Sequence, residues 1–303
     1  MAMTYSSLLA AKSASGSILN WVGYSKVDAP TILDETQSLI YSMLRVREMR
    51  TTWVFGVTAG SSKIALPDRF LDPMGQLQDI TNNSRLTQKD QPVLESARTY
   101  DSTISGTLGA NPFTTVSGQS LVTVDMIGHG LTQGSTFVPA GATLVGGLDL
   151  NGAFEIVEVT DTDTFVISTG DAEATSTATG GGASATYTAN RLNSGTAGLW
   201  AIYDENLNLD MALDADTNFR LPYFRSPALL STANQSNFLT NRYPKLLRVG
   251  TRAAAAEQMN DDQEYQKHYT ALSQLIQSIN VENDMFMRGG TFETDTPTPG
   301  DYY

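Results

Sequence analysis

Cysteine is absent from this chain of 303 residues. That excludes disulfides and thiolate metal sites, and leaves the redox compartment open. Histidine is almost absent: there are two, His129 and His268, in different parts of the chain. An enzyme built on this sequence would have to rely on Asp, Glu, Ser or Lys. No Lys or Arg occurs between Arg98 and Arg191, and the whole chain sets 19 basic against 32 acidic residues, a formal charge of −13. Affinity for a phosphate backbone comes from Lys and Arg, so this balance argues against DNA or an anionic membrane as the primary partner. An acidic surface suits a protein past which DNA slides without sticking. No apolar run approaches the ~20 residues needed to span a bilayer. The opening, Met1 to Ala14, lacks a charged-then-apolar signal pattern, which leads to the expectation of a protein made and used in a cytoplasm.

What is present divides by composition. A hydrophobic content of 41% is enough to build a core, and the length suggests two units. The stretch without basic residues is crowded with Thr, Ser, Gly, Ala and Val. Within it Leu121–Val124, Phe154–Val159 and Thr164–Ile167 are short β-branched or aromatic runs that predict strands. Asn151-Gly152 and Asp161-Thr162-Asp163 fall where hairpin turns are expected. Ala174 to Ala185 is a low-complexity stretch, readable as a loop or a weak edge strand. The whole reads as a small all-β module over roughly Ser105 to Thr188.

The flanks differ. Pro30 to Arg50 has apolar residues at helical spacing, with Asp28 placed as a cap. Strands are predicted at Thr52–Val57, Ile64–Pro67, Leu199–Tyr203 and Phe219–Phe224. From Tyr243 the pattern is helical again, with Tyr243, Leu246, Leu247 and Gly250 on one face, Gly250 permitting close approach of another backbone. A second helix opens on Asp261-x-x-Glu264, a variant capping box, and places Tyr265, His268, Tyr269, Leu272, Leu275, Ile276 and Ile279 on one side. Gly289 to Tyr303, with two prolines and three acids, reads as a tail ordered only by a partner.

Catalytic patterns are missing: no G-x-S-x-G elbow, Walker loop, dinucleotide fingerprint or H-E-x-x-H occurs. His129, in Gly128-His129-Gly130-Leu131, reads as a turn residue, and His268 as a core or interface histidine on an apolar helix face. Asp149-Leu150-Asn151-Gly152 and Asp161-x-Asp163 offer oxygens to a cation, but full calcium-loop spacing is lacking and turns explain both. Trp21, Trp53 and Trp200 are expected in packing. Met285-Phe286-Met287 cannot all face one side of a helix, and with Phe292, Tyr302 and Tyr303 in the tail they suggest an adaptable contact surface. No cofactor is expected, and the chain is read as not an enzyme.

The segments Phe224–Leu229, Asn234-Gln235-Ser236-Asn237-Phe238-Leu239-Thr240 and Arg242-Tyr243-Pro244-Lys245-Leu246-Leu247-Arg248 resemble the head-to-tail adaptor (connector) proteins of tailed phages. Thr4–Leu8 and Ile64–Phe70 also look like that family, and the similarity spans roughly residues 3–103 and 191–288. Gly128–Leu131 with Asn151–Phe154 is similar to β modules scattered through phage virion proteins, and departs from the plain adaptor pattern. The resemblance implies an α+β fold: a helical adaptor domain with a small β element (1–104 and 190–288), interrupted by an inserted all-β, Ig-like or small-barrel domain (105–189), then an extended tail (289–303). It implies a virion protein at the head–tail junction, synthesised in the host cytoplasm, in a homo-oligomeric ring of twelve. The ring would sit between the portal protein and a nozzle or tail-tube protein, pass double-stranded DNA without specific binding, and touch no membrane. Portal-contact candidates are Leu275, Ile279, Met285, Phe286, Met287, Phe292, Tyr302 and Tyr303. Ring or core packing candidates are Tyr243, Leu246, Leu247, Gly250, Tyr265, Tyr269 and Leu272. Two rivals are an adhesin-like, carbohydrate-binding virion protein and a glycan hydrolase using a carboxylate pair.

Overall fold

A computed structural model describes residues 3–24, 26–101 and 103–287, with side chains to residue 284. Short helices α1 (Tyr5–Leu8) and α2 (Ile18–Val22) precede α3 (Ala29–Met43). Strands β1 (Arg50–Val57), β2 (Lys63–Ala65), β3 (Phe70–Pro73), β4 (Leu77–Asp79) and β5 (Ser84–Gln88) follow, then α4 (Gln91–Ala97). The central stretch holds β6 (Ile104–Thr107), β7 (Phe113–Thr115), β8 (Leu121–Asp125), β9 (Thr136–Ala140), β10 (Phe154–Val159), β11 (Thr164–Ser168), β12 (Ala178–Gly180) and β13 (Thr186–Asn190). Strands β14 (Ser194–Gly195), β15 (Leu199–Tyr203), β16 (Asn206–Leu209), β17 (Ala212–Leu213) and β18 (Thr217–Arg225) lead into α5 (Phe238–Arg242), α6 (Pro244–Gln258) and α7 (Asp262–Met287). The fold is α+β.

Two compact units result. Of the described residues, one takes those up to Thr51, Arg69–Asp72 and those from Tyr223; the other takes Thr52–Asp68 and Pro73–Pro222. The first is helical. Its core is Leu8, Ile18, Ile32, Leu33, Ile40, Leu44, Leu239, Leu246, Leu247, Leu272 and Ile276, all nearly or wholly without solvent exposure. Helices α3, α6 and α7 meet at Gly250, where a Cβ would lie 2.5 Å from Thr36 Cγ2 and 3.6 Å from both Ile40 Cδ1 and Leu272 Cδ2.

The expected helix from Pro30 to Arg50 stops early. Asn280, on α7, accepts the Arg45 N–H at 2.8 Å and donates to the Met43 carbonyl at 3.0 Å. These bonds serve the backbone groups that further helix would have used, so Leu44 turns extended (φ −85°, ψ 134°). Leu44 and Val46 reach the core all the same. Asp28 is the N-cap residue, but its carboxylate accepts from the Thr31 hydroxyl and caps no backbone N–H.

The strands form two eight-stranded sheets and a two-stranded pair, β14 with β17. One has the order β1-β18-β4-β5-β15-β16-β2, with β3 also on β18; the other is β12-β7-β8-β11-β10-β9-β13-β6. The second is formed entirely by the stretch without basic residues. Alternation makes it: Phe113, Val122, Val124, Phe137, Phe165 and Ile167 point into one buried cluster while their neighbours face out. Asp161–Asp163 turns the β10–β11 hairpin, Asp161 Oδ1 accepting the Asp163 and Thr164 N–H groups at 2.8 Å. Asn151-Gly152 is not a tight hairpin turn. It closes a longer loop between β9 and β10, the Asn151 amide bonding both backbone groups of Ala142 at 2.9 Å. Ala174 to Ala185 contributes β12, a sheet edge.

The sheet of the flanking segments is larger than the small β element expected, and it clusters with the central module rather than with the helices. Gln133 is one reason. Its side-chain oxygen accepts the N–H groups of Ser62 and Lys63 at 2.9 Å, its amide donates to the Val157 carbonyl at 2.6 Å, and its backbone oxygen accepts from the Ser62 hydroxyl at 2.8 Å. Lys63 and Glu155 add an ion pair at 2.7 Å.

Two substitutions test this packing. Gly250→Val should lower unfolding stability by about 2 kcal/mol or more, since overpacking outweighs the gain in helix propensity. Gln133→Ala should cost about 1–3 kcal/mol by leaving two N–H donors and a carbonyl without partners. Denaturant unfolding measures both, and unchanged midpoints would contradict the packing described.

Candidate functional site

The adaptor-like motif forms a turn, a cap and a helix start. Asn234 donates from its amide to the Leu229 carbonyl at 2.9 Å, and its N–H bonds the Ser231 hydroxyl, closing the turn. Asn237 is the N-cap of α5. Its side-chain oxygen accepts the Leu239 and Thr240 N–H groups at 3.0 and 3.2 Å, and the Thr240 hydroxyl accepts the Asn237 N–H at 3.0 Å. The Asn237 amide also donates to the Tyr41 hydroxyl at 2.8 Å; burial pushes the Tyr41 phenol well above its ordinary pKa, so it stays neutral. Pro244 opens α6, where a missing N–H costs nothing. Thr4–Leu8 forms a second small capping box, and the Tyr5 N–H donates to the Gln235 carbonyl at 2.7 Å. These motif residues serve folding first.

Around that framework α3, α6 and α7 leave an open groove of about 570 Å³. Glu35, Thr36, Leu39, Ala253, Ala254, Glu257, Gln258, Tyr265 and Tyr269 line it. Tyr265 and Tyr269, one helical turn apart, stack with ring centroids 5.6 Å apart. The Thr36 hydroxyl is buried beside the groove without a hydrogen-bond partner. Asp261 caps α7, accepting the Glu264 N–H at 3.2 Å, and receives the Tyr24 hydroxyl at 2.9 Å. The reciprocal half of a capping box is replaced, because the Asp261 N–H goes to the Ala256 carbonyl.

The candidates therefore separate. Leu246, Leu247, Gly250 and Leu272 are core; Tyr243 is partly buried against Phe238; Tyr265 and Tyr269 face the groove. Of the residues assigned to a portal contact, Ile279 is buried in the helical core and Leu275 packs against it. Both belong to the α7 stripe that packs into the helical core. The side chains of Met285, Phe286 and Met287, and residues Phe292, Tyr302 and Tyr303, lie outside the described residues.

His129 is buried, with its ring edge on Phe165 at 5.0 Å. Its Nδ1 accepts the Leu131 N–H at 3.0 Å, so Nε2 carries the proton and donates to the Asp161 carbonyl at 3.0 Å. Both nitrogens are used by the turn. Burial lowers the pKa of His268, with Lys267 and Arg252 acting the same way against Glu264, which lies 3.2 Å away. Asp149 and Asp161 are held below the ordinary carboxylate range by hydrogen bonds within their own turns, from Asn151 and from Asp163 and Thr164. Among the described residues no group of three or more His, Asp or Glu side chains is placed to hold a metal ion. No described helix is long and apolar enough to cross a membrane. Trp200 is fully buried and donates to the Leu86 carbonyl; Trp21 donates to the Thr251 hydroxyl at 2.9 Å and carries Arg248 over its ring. Trp53 stacks on Phe55.

No family model matches the chain, and no curated protein matches it. Among solved structures the chain is similar to the phage phi92 endosialidase, at 14% identity and a TM-score of 0.26. The match covers 49% of this chain and 22% of that one, so the chain spans about a fifth of that protein's length. The expectation of a chain that is not an enzyme does not stand beside this finding, since the matched phage protein is itself an endosialidase. At this TM-score the likeness transfers neither fold nor activity.

Proposed function

We propose that this chain is a structural protein of a tailed-phage particle, in the tail or at its junction with the head. The observation that carries the reading is the Asn234–Arg248 stretch, whose resemblance to head-to-tail adaptors is joined by local structure: Asn234 closes a turn, Asn237 caps α5, and Pro244 starts a helix. In the finer reading the helical unit belongs to an adaptor ring of about twelve copies between portal and nozzle or tail tube, with DNA passing through. A ring of identical subunits needs two unlike faces on each copy. The acidic and aromatic groove of α3, α6 and α7 supplies one such face, with Glu35 and Glu257 beside the tyrosine pair. The segment 105–189 is then an insert in the sequence of the adaptor chain.

A second reading places the chain elsewhere in the tail as an adhesion protein, with the module contacting a carbohydrate surface. Exposed apolar residues on its loops favour this: Ile127 is 86% and Leu144 70% exposed. Mixing the purified chain with portal rings separates the two. The adaptor reading expects closed rings seated on portals in electron micrographs; free subunits that leave portals bare but bind host cells would remove it in favour of adhesion.

A further inference from the structure

The β unit contains six cations, Lys63, Arg85, Lys89, Arg98, Arg191 and Arg220. Three are neutralised inside it: Lys63 by Glu155, Arg98 by Glu95 and Arg191 by Asp101. Arg85, Lys89 and Arg220 are exposed and pair with no carboxylate among the described residues. The strand register brings two of these together. Arg220 on β18 lies opposite Gln78 on β4, and Gln78 lies opposite Arg85 on β5, so Arg220, Gln78 and Arg85 form one straight row across three strands. With strands ~4.8 Å apart, the two arginine backbones are about 10 Å apart. Gln76, Gln78, Arg85, Arg220 and Pro222 line a shallow groove of about 500 Å³ there.

Within β1, β18, β4 and β5 this row has no exposed carboxylate beside it. Alternation along β18 buries Thr217, Phe219 and Leu221 and turns Asn218 and Arg220 outward. On β4, Leu77 and Asp79 are buried while Gln78 shares the outer face. Asp79 is the only carboxylate in β1, β18, β4 and β5. It is 2% exposed and held by the Asn82 backbone and side-chain N–H groups at 2.9 and 2.8 Å. In a chain of charge −13, four adjacent strands thus present cations and neutral amides with no exposed acid among them.

We propose that this face binds the phosphodiester backbone of duplex DNA. Guanidinium forks and a side-chain amide are the donors that contact phosphate oxygens, and they do so without reading sequence. An acidic protein partner fits less well. Protein interfaces form around buried aromatic or apolar anchors, whereas the exposed apolar residues of this face are only Val54 and Ile80. The anion-binding character follows from register and charge; duplex DNA as the occupant rests on the reading of the chain as part of a DNA channel. The acidic remainder would keep the affinity low, as passage through a channel requires.

Fluorescence anisotropy with a short labelled duplex and the full chain tests this. Engaging two phosphates gives a log–log salt slope of about −1.8, so affinity should fall roughly tenfold between about 50 and 200 mM salt. The Arg85→Gln/Arg220→Gln pair, checked for folding by circular dichroism, should bind at least about fivefold more weakly and with a shallower slope. Equal binding by the double variant, no binding by the wild type at low salt, or tighter binding of poly-glutamate than of duplex would each overturn the proposal. Portal assembly is measured on the same samples. A wild type that assembles yet binds no duplex removes the DNA face alone. One that binds duplex through these arginines yet assembles on no portal leaves the face standing and removes the placement at the head–tail junction.

Discussion

Three helices converge on Gly250, and the helical unit depends on how closely they do so. Thr36 of α3 occupies the space a side chain at Gly250 would fill, with Ile40 and Leu272 completing the enclosure. Close-packed interiors tolerate little change in volume, so this contact sets how near α3 lies to α6 and α7. From that separation follow the burial of Leu246, Leu247 and Leu272, the reach of Asn280 to the end of α3, and the open side that becomes the tyrosine-lined groove.

Charge is organised as strictly as volume. The central module lacks cations, and half of its eight carboxylates serve turns or Lys63: Asp149, Asp161, Asp163 and Glu155. Three of the six basic residues in the β unit are paired; of the other three, Arg85 and Arg220 share one row on a sheet face whose strands expose no carboxylate. A uniformly acidic molecule would only repel a polyanion. A molecule acidic overall with one cationic face orients it, weakly and with strong dependence on salt.

Elements with a strong local period were legible in the sequence. The alternation of Phe154–Val159 and Thr164–Ile167 and the spacing Tyr265, Leu272, Ile276, Ile279 specify strands and helix without help from elsewhere. What escaped depends on partners distant in the chain. Nothing near Met43 announces that α3 ends there, because Asn280 ends it. Strands β4 and β5 are short and polar on one face, so their sequence carries no strand period, and Gln78 and Arg85 come together only through pairing with β18. Gln133 carries no signal in its own neighbourhood, yet its amide joins the module to the strand segment at Ser62 and Lys63. The arginine row escaped for the same reason, since register alone unites it. Gly250, by contrast, was visible as a small residue on an apolar helix face.

The central claim is a place in a phage particle, and labelling intact particles tests it most directly. Gold-conjugated antibody raised against the module, residues 105–189, should mark particles at a single position, the junction of head and tail, when viewed by electron microscopy. Label confined to the distal tail, or particles that carry none of the chain, would contradict the account.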